Sequence, residues 1–181
     1  MRNYNDEIFV YQYPAAVNFV THLTCYKELW NYWDEGKLKT TFWRYTIDAH
    51  GYRANILWCL VFGSASWSNQ THLKKLFKTD EEVEIFYNKL LDKLDFSQQQ
   101  WESYYKQQIN FRNKYAAHVE IGASIRFPNF DKALETAIFY DEYVRDLIGT
   151  DTLECEMLPD VIKTVKDDLK KTIEFYLNNQ K

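Results

Sequence analysis

The chain has 181 residues, a formal net charge of −4 and 27% charged residues. That length fits one domain, residues 1–181, with enough core to fold without disulfides or a structural metal. The negative balance argues against broad binding of duplex nucleic acid, which wants a basic face, but leaves room for a small RNA site with a few local cations.

Five Gly and three Pro supply too few turns for an all-β chain. Aromatics reach 18%, as 14 Tyr, 12 Phe and six Trp. Large rings fill space between helices, or form a surface that receives bases or a partner helix; the core reading carries more weight. Cys25, Cys59 and Cys155 show no CxxC or Cys/His ligand spacing, as expected of reduced thiols in a cytoplasmic protein. The opening MRNYNDEIFVYQY lacks the apolar stretch of a signal peptide. The longest apolar run, around residues 56–62, is too short to cross a bilayer.

In chain order, Pro14 is placed to open a first helix that Gly36 stops. A second helix runs from about Thr41 to Phe62, where Gly63-Ser64-Ala65-Ser66 breaks it. Residues 71–77 read as a short helix. Thr79 and Glu82 make a capping box for a helix with Val83, Phe86, Leu90 and Leu94 along one stripe. Ser97 and Gln100 repeat the device ahead of a long helix through Trp101, Tyr104, Ile109 and Phe111 towards His118. A loop over residues 122–128 follows. Phe130, Leu134, Ile138, Asp141, Val144 and Ile148 then step at helical intervals, with Asp141 the odd member. A last helix after Pro159 carries Ile162, Val165, Leu169, Ile173 and Tyr176 on one face. Six or seven helices and no convincing strand make the fold class all-α.

The segment Arg112-Asn113-Lys114-Tyr115-Ala116-Ala117-His118 carries the most chemistry. Its plain reading is a surface Arg followed by a His that favours a helix C-terminus through the dipole. At 100° per residue, Arg112 and His118 lie about 120° apart on an ideal helix. For both to act on one phosphate, the helix must end or bulge between them, or a two-fold partner must supply one of them. His72, Lys74 and Lys75 form a local basic cluster, either a solvated helix face or a contact for RNA backbone. His22 and His50 have no partner at ligand spacing, so no metal site is expected.

The segment resembles the motif of the HEPN superfamily, an Arg, a polar residue directly after it, and a His four to six residues on. The likeness extends over about residues 45–148. Residues 58–64 (WCLVFGS), 71–76 (THLKKL) and 127–134 (FPNFDKAL) look like successive blocks of the AbiU-like, abortive-infection branch. Two positions depart from it: Leu73 stands where the branch often has Trp, and Asn113 where it often has Asp. The resemblance implies a HEPN-type helical bundle that dimerises through its motif-bearing helices, here with Trp101, Tyr104 and Ile109 beside the motif. It also implies a metal-independent endoribonuclease of a phage-defence or toxin-like system, with an antitoxin or another defence protein as partner; other members are non-catalytic modules that bind nucleotide, RNA or protein. In the catalytic case RNA brings its own nucleophile, the 2′-OH, so no cofactor or metal is required. His118 would move the proton, Arg112 would hold the phosphate, and Asn113 and Lys114 would support them.

Overall fold

The computed structural model describes residues 4–65, 69–116, 126–149 and 155–179. The first helix, α1 (Asp6–Asp34), opens well before Pro14, which lies inside it. Asp6 and Glu7 place negative charge in its first turn, where the helix dipole favours it. A tertiary anchor adds to this: the Asn5 N–H donates to the Leu76 carbonyl at 2.8 Å, and Tyr4 bridges to Phe77. An internal proline deprives the carbonyl four residues back of its donor. Here that residue is Val10, 58% exposed, where water can substitute. The far end stops as expected. Gly36 takes φ 69°, and the Gly36 and Lys37 N–H groups bond back to Trp33 and Tyr32 in a Schellman arrangement.

Helix α2 (Thr41–Phe62) follows and pairs along α1. Residues 71–77, expected as a short helix, form only a single 3₁₀ turn over Leu73–Lys75. The segment buries Leu73, Leu76 and Phe77 together and gives the carbonyls of His72 and Leu76 to Gln12 and Asn5. The His72 carbonyl also accepts from the Lys75 N–H within the turn, whereas the Leu76 carbonyl, which a longer helix would have claimed for its own ladder, goes to Asn5.

Both capping boxes form, Thr79 with Glu82 ahead of α3 (Asp80–Leu94) and Ser97 with Gln100 ahead of α4 (Gln98–Phe111). Each satisfies two otherwise orphaned N–H groups. The α3 stripe Val83, Phe86, Leu90, Leu94 is buried as its spacing dictates. In α5 (Asp131–Ile148) the buried face is Ala133, Ala137, Tyr140, Asp141 and Val144; Leu134, Ile138 and Ile148 fall to its margins. The last helix, α6 (Leu158–Asn178), lies against α1 and α5 and buries only Leu158 and Ile173 fully.

Asp141, the odd residue of its stripe, is fully buried. Its carboxylate accepts from Tyr13 Oη at 2.8 Å, Arg145 Nε at 2.9 Å and the Leu158 N–H at 2.8 Å. One side chain thus joins α1, α5 and the N-terminus of α6. Among the described residues there are six α-helices and no strand, an all-α bundle. The main core centres on Trp58, Phe19, Phe62, Phe86 and Tyr140. A smaller one gathers Leu29, Leu38, Ile47 and Ile173 where α1, α2 and α6 meet. The aromatic content thus goes largely to core.

Candidate functional site

Helix α4 delivers the Arg112 segment, and a buried polar relay fixes α4 just upstream of it. Asn55 and Gln108 are both fully buried. Asn55 Nδ2 donates to the Gln108 carbonyl at 3.2 Å and to its Oε1 at 3.0 Å. Gln108 Nε2 donates in turn to the Asn129 carbonyl, which also accepts from Tyr104 Oη, both at 2.9 Å. Buried amides left unmade cost about 1–3 kcal/mol each, so the relay pins α2, α4 and the approach to α5 in one register. Trp101 and Tyr104, expected beside the motif as interface anchors, are instead spent in the chain's own core, at 6% and 9% exposure.

Directly after Phe111 the backbone changes form: Arg112–Ala116 is a π turn. Such turns insert a residue into the helical ladder and recur at functional sites. The π turn begins at Arg112 itself; His118, with Ala117, lies outside the described residues. The Arg112 guanidinium is half-buried, with Nε and Nη2 donating to the same atom, Asn113 Oδ1, at 3.1 and 2.9 Å. Two of its five N–H groups are thereby committed, to a neutral acceptor. Among the described residues no carboxylate pairs with Arg112. The Cys59 thiol lies within reach of that charge. Burial pushes its pKa up to about 12, with Arg112 pulling the other way, so Cys59 is an inert core thiol.

Beside this turn opens a cleft of about 450 Å³. Phe111, Tyr115 and Phe127 supply its aromatic surface, Lys114 and Arg126 its positive charge, and Gln107 and Asn110 its amides. Phe127 packs 5.0 Å, ring centre to ring centre, from both Phe111 and Tyr52. It can do so because residue 51 is Gly: a Cβ there would stand 2.5 Å from the Phe127 ring. The sequence signalled Lys114 but not Phe127, Arg126 or Asn110. A glycine amid the second helix was the available sign of a close approach.

The other basic cluster looks different in three dimensions. His72 is 2% exposed and caps the 3₁₀ turn, its Nδ1 accepting from the Lys74 N–H at 3.1 Å. Burial holds its pKa down to about 4, against a hydrogen bond to the Gly63 backbone that acts upward. It is a neutral structural histidine, neither a surface cation nor part of a solvated face. Lys74 remains exposed, and Lys75 Nζ donates to Gln70 Oε1 at 3.0 Å. Lys74 and His72 line a second cleft, of about 590 Å³, whose rim carries Asp80, Glu84 and Glu102; three carboxylates there oppose a phosphate backbone.

The fold also gives His22 and His50 a partner that sequence spacing did not reveal, namely each other. Their Nδ1 atoms are 2.9 Å apart across the α1–α2 seam, so one ring donates and the other accepts. Burial lowers the pKa of both, and His50 and Arg53 lower that of His22 further. Among the described residues no group of three or more His, Cys, Asp or Glu side chains is placed to hold a metal ion. No helix there is long and apolar enough to cross a membrane. No protein-family model matches the chain, and no curated protein or solved structure matches it.

Proposed function

We propose that the chain is a HEPN-type, metal-independent endoribonuclease of a phage-defence or toxin-like system. The observation that carries this reading is the Arg112 guanidinium, which pairs with no carboxylate among the described residues and is held in orientation by Asn113 on a π turn. A planar fork of N–H donors suits the non-bridging oxygens of a phosphodiester, and the charge that grows on them in the transition state. In the reaction the ribose 2′-oxygen attacks phosphorus, the bond to the 5′-oxygen breaks, and a 2′,3′-cyclic phosphate and a 5′-hydroxyl result. His118 takes the proton from the 2′-hydroxyl or returns one to the leaving oxygen. Lys114 adds positive charge, and Asn113 keeps the fork in place. A homodimer, a cytoplasmic setting and a neutralising antitoxin or defence partner belong to the same reading.

The competing reading is a non-catalytic module that binds nucleotide, RNA or a protein partner. The aromatic, cationic cleft beside Arg112 favours it equally. Incubation of the purified protein with a mixed RNA pool in excess chelator decides between them. The nuclease reading expects 2′,3′-cyclic ends, no cleavage of a strand lacking the 2′-OH, and a loss of about 10²–10⁴-fold in His118→Ala. Binding without cleavage would remove the enzyme and leave the module.

A further inference from the structure

We propose that the cleft between the end of α4 and Phe127 is a subsite for one unpaired nucleotide of an RNA strand. The base lies against Tyr115 and Phe127, and its phosphate on Lys114 and Arg126. This rests on the reading of the Arg112 segment as an RNA site, and narrows it to single-stranded substrate. Size is the first argument. At about 450 Å³ the cleft falls within the roughly 300–1,000 Å³ of small-ligand pockets.

Surface chemistry is the second. Phe111, 4% exposed, forms the floor, and the half-buried rings of Tyr115 and Phe127 border it at centroid distances of 5.3 and 5.0 Å. Every base has a π-face, so such rings receive any base, while exposed amides at Gln107 and Asn110 offer both donors and acceptors to its edge. Charge is the third. Among the described residues lining this cleft, Lys114 and Arg126 are cationic and none is acidic, although the chain carries a net −4. The cleft on the other part of α4 has three carboxylates. Positive charge is thus concentrated where a phosphate would lie, on a patch too small for a duplex.

Pre-organisation is the fourth argument. Phe127 rests on Gly51 and against Tyr52 and Tyr26, at 5.0 and 5.1 Å, so the wall stands before any ligand arrives and binding spends little on ordering it. A strand crossing the end of α4 would set its base in the cleft and offer a phosphate to the neighbouring Arg112.

The test uses a 2′-O-methyl oligonucleotide of mixed sequence carrying one 2-aminopurine, which cannot be cleaved through a 2′-OH and whose fluorescence falls on stacking. Anisotropy and quenching are read together. Wild type is expected to bind and quench, and Phe127→Ala to weaken binding roughly 5- to 150-fold. Gly51→Ala, which displaces the Phe127 ring without altering any residue of the cleft, should act in the same direction. Asn110→Ala and Arg126→Gln change exposed side chains, so their folding is secure. The first should weaken quenching, and the second should lower the slope of log affinity against log salt by about 0.7. Arg112→Ala should weaken binding through the lost phosphate contact while the quenching at saturation persists. Quenching that the cleft variants lose supports the subsite whether or not RNA is cut. Cleavage of ordinary RNA by wild type, with cleft variants that bind, quench and respond to salt as wild type does, overturns the subsite and leaves the nuclease standing. Quenching that the cleft variants lose, with no cleavage by wild type, keeps the subsite and removes the nuclease. Neither binding nor cleavage removes both.

Discussion

Two arginines in this chain, Arg145 and Arg112, are held in opposite ways. Arg145 donates through Nε to the buried Asp141 carboxylate, and through Nη2 to Tyr13 Oη and to the carbonyls of Cys155 and Glu156. Its charge is matched and its donors are occupied, so it rivets α1, α5 and the entry to α6. Arg112 has one neutral acceptor, Asn113, and no carboxylate among the described residues. The difference separates a cation built into the fold from one that, on the proposed function, meets an anion. Each local sequence shows an Arg near the end of a helix, and neither shows which kind it is.

Substitution breaks the comparison most directly. Arg112→Ala should cut RNA cleavage by about 10²–10³-fold, the scale set by losing one oriented transition-state donor, with melting unchanged. Arg112→Lys should recover little, because an ammonium keeps the charge without the planar fork. Asp141→Ala should do the reverse. It leaves Arg145 unpaired and the Leu158 N–H without its acceptor, and should cost about 3–5 kcal/mol of stability in urea unfolding, while cleavage per folded molecule holds. A stable Asp141→Ala, or an Arg112→Ala that melts early, would show that the two roles have been exchanged.

Histidines sharpen the same contrast along pH. His72, His22 and His50 all have folded pKa values below the usual 6.5. The unfolded chain therefore takes up protons that the folded chain resists, and stability falls as pH drops below about 6.5. For His72 the contribution is on the order of 3 kcal/mol. It is fully present above pH 6.5 and gone below about 4. Unfolding free energy measured from pH 8 to 4 should trace that decline, and the His72 ring resonances should show no titration above pH 5. A His72 that titrates near 6.5 would return it to the surface cluster and restore it as an RNA contact.

The smallest effect probes the support of Arg112. Ser97→Ala removes the N-cap of α4, whose Oγ accepts from the Gln100 N–H at 3.3 Å, and should cost about 1 kcal/mol. Cleavage should be unaltered, because the Asn55–Gln108 relay holds the other end of the helix. A drop in cleavage matching that for Arg112→Ala would mean that α4 moves as a whole during catalysis.

Everything the sequence determined by itself runs over three or four residues. The boxes Thr79–Glu82 and Ser97–Gln100, the stop at Gly36 and the stripe of α3 depend on neighbours along one helix, and the scarcity of Gly and Pro with six or seven helical segments pointed to the all-α class. Tertiary structure decided the rest. Residues 71–77 read as a helix, but Asn5, at the head of α1, took the Leu76 carbonyl. Asp141 broke an apolar stripe because Tyr13, 128 positions away, and the end of α6 needed a buried acceptor. His22 met His50 across 28 positions, and Asn55 met Gln108 across 53. The cleft of Phe127 depended on a glycine in another helix. A lone polar residue reads the same in sequence whether solvent, a buried partner or a ligand will satisfy it, because desolvation is decided by what packs against it from elsewhere in the chain.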